Sequence, residues 1–278
     1  MNPLRSRGSG GGVVGGFYSR LAVVAAGLPL VLGSAYLGGW FLVTLLAVAA
    51  MLALHEFYGV ARSLRPLVLA GYGGALGALL GAELGGAVWA FGGFALTFVL
   101  AFLFAAVAET RQSTTVAIGT TVLGAGWIGL GLAALLLIRD GPEGRLALIT
   151  VLLTVFVADT FAYVGGRIAG RHRMTPVMSP GKTWEGFTAG TVAGILTTWI
   201  ALYDEDLFSD SWRSFVFGGT IVLAATIGDL FESIVKRDLG TKDMGRLLLG
   251  HGGVLDRIDS LLFAGPAAYF ALLGLAEL

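Results

Sequence analysis

Asp229, Glu232, Ser233 and Lys236 stand at i, i+3, i+4 and i+7, the spacing that aligns side chains along one face of an α-helix. The remaining faces of that segment carry Leu223, Ile227, Leu230, Phe231 and Ile234 and are apolar. After a glycine-rich stretch, Asp256 and Asp259 stand one helical turn apart at the mouth of another apolar run. Between positions 229 and 260 the chain gathers six carboxylates, five cationic side chains and a histidine. Ionisable groups beside a membrane span are expensive unless paired, hydrated or coordinating, so such a cluster marks a functional site by default. Carboxylates suit a hard cation such as Mg²⁺, and lysine and arginine suit phosphates. The first reading is therefore metal-assisted phosphate chemistry at a membrane surface. The bland alternative is a Glu232–Lys236 salt bridge that only fastens helices. Asp229 one turn earlier, Arg237 alongside, and Lys242-Asp243 after Gly240 weigh against it. Asp229, Asp256 and Asp259 together suggest an oxygen cage for one or two cations, which in two-metal sites sit about 3.5–4 Å apart.

Two further segments join this set. Asp159 interrupts an otherwise apolar run, Ala158-Asp159-Thr160-Phe161-Ala162-Tyr163, and needs a lysine or a cation-bound water as partner. The following loop reads Ser179-Pro180-Gly181-Lys182-Thr183-Trp184-Glu185-Gly186. Gly181-Lys182-Thr183 resembles the end of a phosphate-binding P-loop, but the glycine required five positions earlier is Pro176 and no strand is predicted before it, so that reading is rejected. Ser179, Lys182 and Thr183 stand as phosphate contacts in their own right. His251 reads as a hydrogen-bonding loop residue rather than a metal ligand. Gly252 and Gly253 beside it allow backbone N–H groups to approach a phosphate. Glu56 is a weaker candidate that caps helix packing or pairs with Arg62.

The composition says what must hold these residues. Of 278 residues 56% are hydrophobic and 13% charged, against about 25% charged in a soluble domain, and the mean hydropathy is +0.83. The chain is an integral membrane protein. Eighteen basic and 18 acidic residues balance, which argues against a general nucleic-acid binder. Without cysteine there is neither a disulfide nor a thiolate metal site.

A helix needs roughly 20 apolar residues to cross the hydrocarbon core. Such runs fall near 21–38, 40–55, 67–83, 87–108, 115–138, 146–166, 187–203, 214–235 and 260–277. The predicted fold is all-α: a polytopic helical bundle of about nine spans, within a bracket of eight to ten. Residues 1–19 are polar and glycine-rich and are expected to form a flexible cytoplasmic tail. Residues 20–278 are expected to form one transmembrane domain. The run after Arg20 reads as a retained first span rather than a removed signal peptide. With the N-terminus inside, 15 of the 18 basic residues fall on cytoplasmic segments, leaving Arg139, Arg145 and Arg213 outside, a strong positive-inside bias. Glycine pairs such as Gly77/Gly81 and Gly190/Gly194 have the small-xxx-small spacing that lets helices approach closely.

From Ser233 onward the chain resembles the phosphatidate cytidylyltransferases, or CDP-diacylglycerol synthases. The resemblance is carried by Ser233, Lys236, Arg237, Lys242, Asp243, Gly245, Leu248, His251, Gly252, Gly253, Asp256, Arg257 and Asp259. Leu249 departs from the pattern, which has proline, glycine or serine there. The Asp159–Tyr163 segment and Ser-Pro-x-Lys-Thr-Trp-Glu-Gly are also similar to the family's, so a catalytic half covers about 155–265. The resemblance implies a reaction in which CTP and phosphatidic acid give CDP-diacylglycerol and pyrophosphate. It also implies Mg²⁺, with K⁺ as a companion cation, and a multi-pass homodimer of the inner membrane with its site facing the cytoplasm. By motif position Asp229 and Asp256 are the leading metal ligands, supported by Asp159, Glu232 and Asp259. Lys182, Lys236, Arg237 and Lys242 bind the triphosphate or the lipid phosphate. Ser179, Thr183, Ser233, His251, Gly252, Gly253 and Arg257 complete the substrate contacts. Two rivals are set against this reading. A CTP-dependent lipid kinase would move the γ-phosphate instead. An ion-coupled transporter would spread its acids across the bilayer, whereas here they gather at one side.

Overall fold

Long apolar runs become helices in a membrane because only a helix or a closed barrel satisfies every backbone polar group internally. The computed structural model describes residues 27–107, 113–141, 143–176, 178–245 and 252–277. The expected tail, the start of the first span, Leu249 and His251 lie outside the described residues. In chain order the helices are α1 (Gly27–Leu37), α2 (Gly39–Val60), α3 (Val68–Val107), α4 (Thr114–Gly124), α5 (Gly131–Asp140), α6 (Gly144–Ala169), α7 (Trp184–Leu202), α8 (Ser211–Asp238) and α9 (Leu255–Ala276). A π-helical turn, Ala125–Leu130, joins α4 to α5. The expectation of an all-α membrane protein holds, apart from a two-stranded antiparallel hairpin, β1 (Arg173–Thr175) and β2 (Ser179–Thr183), which was not foreseen.

Six of the described helices are long and apolar enough to cross a membrane. They differ from the nine apolar runs in three places. The described part of α1 has only 11 residues, from Gly27 to Leu37, and the glycine- and threonine-rich α7 is not among the six. The third place is α3, whose 40 residues would extend about 60 Å if straight, twice the roughly 30 Å hydrocarbon core. Gly86 breaks it with φ 74 and ψ −159, a backbone conformation that other residues adopt only under strain. Gly77 then faces Gly93, Gly74 faces Thr97 and Gly73 faces Leu100, so the two arms run back along each other. These arms match the predicted runs 67–83 and 87–108.

The α4–π–α5 segment is the axis of the bundle: 72% of its apolar window is buried, against 17% for the α3 hairpin. Ile128, Leu132, Leu136 and Ile138 fill that axis. At its far end Arg139 closes α1, Nε donating to the Ala35 carbonyl at 2.9 Å and Nη2 to the Tyr36 carbonyl at 3.1 Å. This satisfies carbonyls that a helix C-terminus leaves unpaired.

Helices α6 to α9 pack in succession, α6 on α7, α7 on α8 and α8 on α9. Glycines set the closest of these approaches. Gly190 faces the Ala158 carbonyl and Ala162, and Gly186 faces Gly166, as the small-xxx-small spacing anticipates. A Cβ on Gly190 would lie 2.6 Å from the Ala158 carbonyl oxygen. Gly190→Val therefore has to push α7 off α6, at about 1–3 kcal/mol of overpacking. The expected outcome is a lower thermal midpoint with reduced activity; an unchanged midpoint in detergent would show that this contact is slack.

Candidate active site

Between α6, the hairpin, α8 and α9 lies a cleft of about 1230 Å³. Each wall follows from a sequence period. On α6 the residues Asp159, Ala162, Tyr163, Gly166 and Arg167 line it, a single strip at i, i+3, i+4, i+7 and i+8. On α8 the strip is Thr226, Asp229, Glu232 and Lys236. The first two turns of α9 contribute Asp256, Arg257, Asp259 and Ser260.

The hairpin supplies Ser179, Gly181, Lys182 and Thr183, and its base is fastened twice. Thr183 caps α7 by accepting from the Gly186 N–H at 3.1 Å. His172 Nδ1 stands 2.6 Å from Glu185 Oε1, and the His172 N–H also points at that carboxylate. The hydrogen bond from His172 holds the Glu185 carboxyl well below the usual carboxylate range.

Two lysines tie the walls together. Lys182 Nζ lies 2.6 Å from Asp229 Oδ2, joining hairpin to α8. Lys236 pairs with Glu232 on its own helix and reaches Asp256 Oδ1 on α9 at 2.9 Å. Asp256 is further held by the N–H groups of Met244 at 3.2 Å and Gly253 at 2.7 Å. Gly252, at φ 81, passes so close to Asp256 that a Cβ would lie 2.8 Å from Oδ2; only glycine fits both demands.

Behind the cleft lie supports that no local sequence period announces. Glu56 is buried and accepts from Val254 N–H at 3.0 Å and Leu255 N–H at 2.9 Å. Of its two expected roles the structure selects the cap: no ion pair with Arg62 is found among the described residues. Gly245 and Gly253 leave room for its carboxyl group. Phe57, Trp127, Phe231 and Phe263 meet edge-on or tilted in a row, with centroids 5.9, 4.9 and 5.3 Å apart. That row braces α8 immediately beside Glu232. Spacing rules could not have shown either feature, because both join helices distant in sequence.

Of the residues singled out from sequence, Asp159, Asp229, Glu232, Lys236, Asp256 and Asp259 all line this one cleft, as do Ser179, Lys182, Thr183, Gly252 and Arg257. Gly253 stands just behind it as a donor to Asp256. Arg237 and Lys242 are exposed and Ser233 half-buried, and none of the three lines the cleft. Arg167 and Tyr163 line it without having been singled out.

The donor set is chemically right for a hard cation, all carboxylate oxygen. Glu232 Oε1 is buried without a hydrogen-bond partner and the Asp259 carboxylate neighbours it. Two buried acids side by side call for a proton or a cation between them. Among the described residues, no three histidine or carboxylate groups are gathered into a ready metal shell; Lys182 and Lys236 pair with Asp229, Glu232 and Asp256 instead.

Fold and cleft together define a polytopic helical membrane protein whose acidic and basic groups converge at one site. The chain matches the model of the Cytidylyltransferase family over residues 18–274. It is 35% identical over 258 residues to the phosphatidate cytidylyltransferase of Mycobacterium bovis, covering 83% of this chain and 79% of the relative. The phosphatidate cytidylyltransferase of Mycobacterium tuberculosis gives the same identity over 83% and 74%. That of Mycobacterium leprae is 41% identical over 159 residues, 55% and 48% of the two chains. The chain belongs to the phosphatidate cytidylyltransferase family and is a nucleotidyltransferase, as the motif from Ser233 to Asp259 anticipated.

Proposed function

We propose that this protein transfers CMP from CTP to phosphatidic acid, giving CDP-diacylglycerol and pyrophosphate for phospholipid biosynthesis. The supporting observation is one cleft lined by Arg167, Lys182, Lys236 and Arg257 together with six carboxylates, at the ends of apolar helices. The lipid phosphate is already an anionic nucleophile, so no strong general base is required. One of its oxygens bonds to the α-phosphorus while the bridge from that phosphorus to the β-phosphate breaks in line, and the electron pair leaves on pyrophosphate. The obstacle is repulsion between anions. Lys182 and Lys236 are fixed by carboxylates before substrate arrives, so they meet the phosphates without reorganising.

The cleft carries more carboxylates than cations, which repels a triphosphate unless divalent cation enters with it. Mg²⁺, with K⁺ as companion, would supply charge neutralisation on the triphosphate and on departing pyrophosphate. Asp229 and Asp256 are the leading ligands, supported by Asp159, Glu232 and Asp259. Of the assigned substrate contacts, Ser179, Thr183, Gly252 and Arg257 have direct support as lining residues. Counting the α3 arms separately and including α1 and α7 gives nine spans. The basic-residue bias supports an N-terminus and a cleft on the cytoplasmic side of the inner membrane, and the active form is a homodimer.

Purified protein incubated with α-labelled CTP, phosphatidate and Mg²⁺ tests the reaction. Label should enter the lipid; label recovered only as soluble CDP would establish the lipid-kinase alternative instead.

A further inference from the structure

One cation at the mouth of the cleft has no part in the chemistry above. Lys182 and Lys236 are committed to carboxylates. Arg167 differs: it donates from Nη1 to the Tyr163 hydroxyl at 2.9 Å, a neutral partner, and among the described residues no carboxylate pairs with it. Within that set its charge meets no carboxylate, and its side-chain hydrogen bond is to a neutral hydroxyl. Tyr163 lies one turn earlier on the same cleft-lining strip of α6, so its hydroxyl holds the guanidinium against that wall.

The same turns of α6 present the opposite character outward. Ile168 is 81% exposed, Phe161 52% and Val164 44%, and Trp184 at the start of α7 is 50% exposed. On a membrane-embedded helix these side chains meet acyl chains, while Arg167 looks into a polar cleft. A ligand that satisfies both sides at once is a phosphate monoester carried on hydrocarbon tails. A nucleotide has the phosphate but nothing to place against Ile168 and Phe161. Guanidinium also suits the task better than ammonium, since its planar fork takes two phosphate oxygens together.

We propose that Arg167, positioned by Tyr163, docks the phosphate of the lipid substrate at the C-terminal end of α6. Lys182 and Lys236, deeper in the cleft, are left to the nucleotide. The assignment rests on the CMP-transfer reading and names which cation serves which substrate.

Steady-state kinetics in mixed micelles separate the two substrates. Arg167→Ala should raise KM for phosphatidate about 10- to 100-fold, the loss of a charge-assisted bidentate contact, with KM for CTP unchanged. Arg167→Lys keeps the charge without the fork and should fall between. Tyr163→Phe, which removes only the hydroxyl, should shift phosphatidate KM in the same direction by less, with kcat and CTP KM held. A rise in CTP KM with phosphatidate KM unchanged would assign Arg167 to the nucleotide and overturn the proposal, as would no change in either. If Arg167→Ala does not yield folded protein, Arg167→Lys and Tyr163→Phe decide on the same readout. Failure of the underlying reaction looks different: wild-type protein would then put no α-label into lipid at all.

Discussion

Asp256→Asn is expected to lower turnover on the order of 10³-fold, the scale of losing a preorganised electrostatic group, while the purified protein stays folded and monodisperse. The reason lies in what surrounds the carboxylate. Oδ1 accepts from Lys236 Nζ and the Met244 N–H, and Oδ2 from the N–H groups of Gly253 and Met244. Asparagine has the same shape but turns one of those oxygens into a donor. Whichever side it occupies, an N–H group then faces another N–H or an ammonium. Either Lys236 is released from α9 or the loop before α9 loses its anchor, and the cleft gains one unit of positive charge in both cases. Most of the packing survives because Leu255, Leu262 and the rest of α9's buried face are untouched. On the metal reading the variant should also need more Mg²⁺ for its half-maximal rate, which a titration of rate against Mg²⁺ reads directly. Wild-type turnover in the pure variant would remove Asp256 from the site.

The acids and lysines of the cleft were legible because each sits in a local period. Asp229, Glu232 and Lys236 share a helical face by spacing alone, and Asp256 and Asp259 are one turn apart. Their joint occupation of one cleft follows from a membrane's intolerance of scattered charge. The partners were not legible, since they are tertiary. Nothing in the sequence pairs Lys182 with Asp229 rather than Asp159, or turns Arg237 and Lys242 away from the cleft while Lys236 points in. Arg237 is adjacent to Lys236, and neighbours in a helix face directions about 100° apart. The motif resemblance spans both residues, whereas the geometry separates them. The short strands β1 and β2 escaped for another reason. Three and five residues, with Pro180 and Gly181 inside the second, carry no alternating pattern to detect. In α3, by contrast, the gap between the apolar runs 67–83 and 87–108 contains Gly86, where the structure makes its turn.

Glu56→Ala is expected to cost about a hundredfold in turnover although Glu56 does not line the cleft, on the scale that a misplacement of about 1 Å costs an enzyme. Its carboxylate is the acceptor for the first N–H groups of α9, at Val254 and Leu255, where the helix also presents its positive dipole end. Alanine leaves the buried Leu255 N–H and the half-buried Val254 N–H without this partner, at about 1–3 kcal/mol for a buried donor. It also opens a void between Gly245 and Gly253, which pack on the missing carboxyl. The cheapest relief is for the first turn of α9 to fray, and that turn carries Asp256, with Asp259 just beyond it. Amide hydrogen exchange at 253–256 should therefore quicken in the variant while the rest of α9 stays protected. Glu56→Gln keeps one acceptor but aims its amide donor at the second N–H, so it should lie between alanine and wild type in both rate and exchange. Arg62→Ala should change neither, because Glu56 spends its charge on α9 and not on that arginine. Full turnover in Glu56→Ala with unaltered exchange would mean that α9 holds its acids in place without this cap.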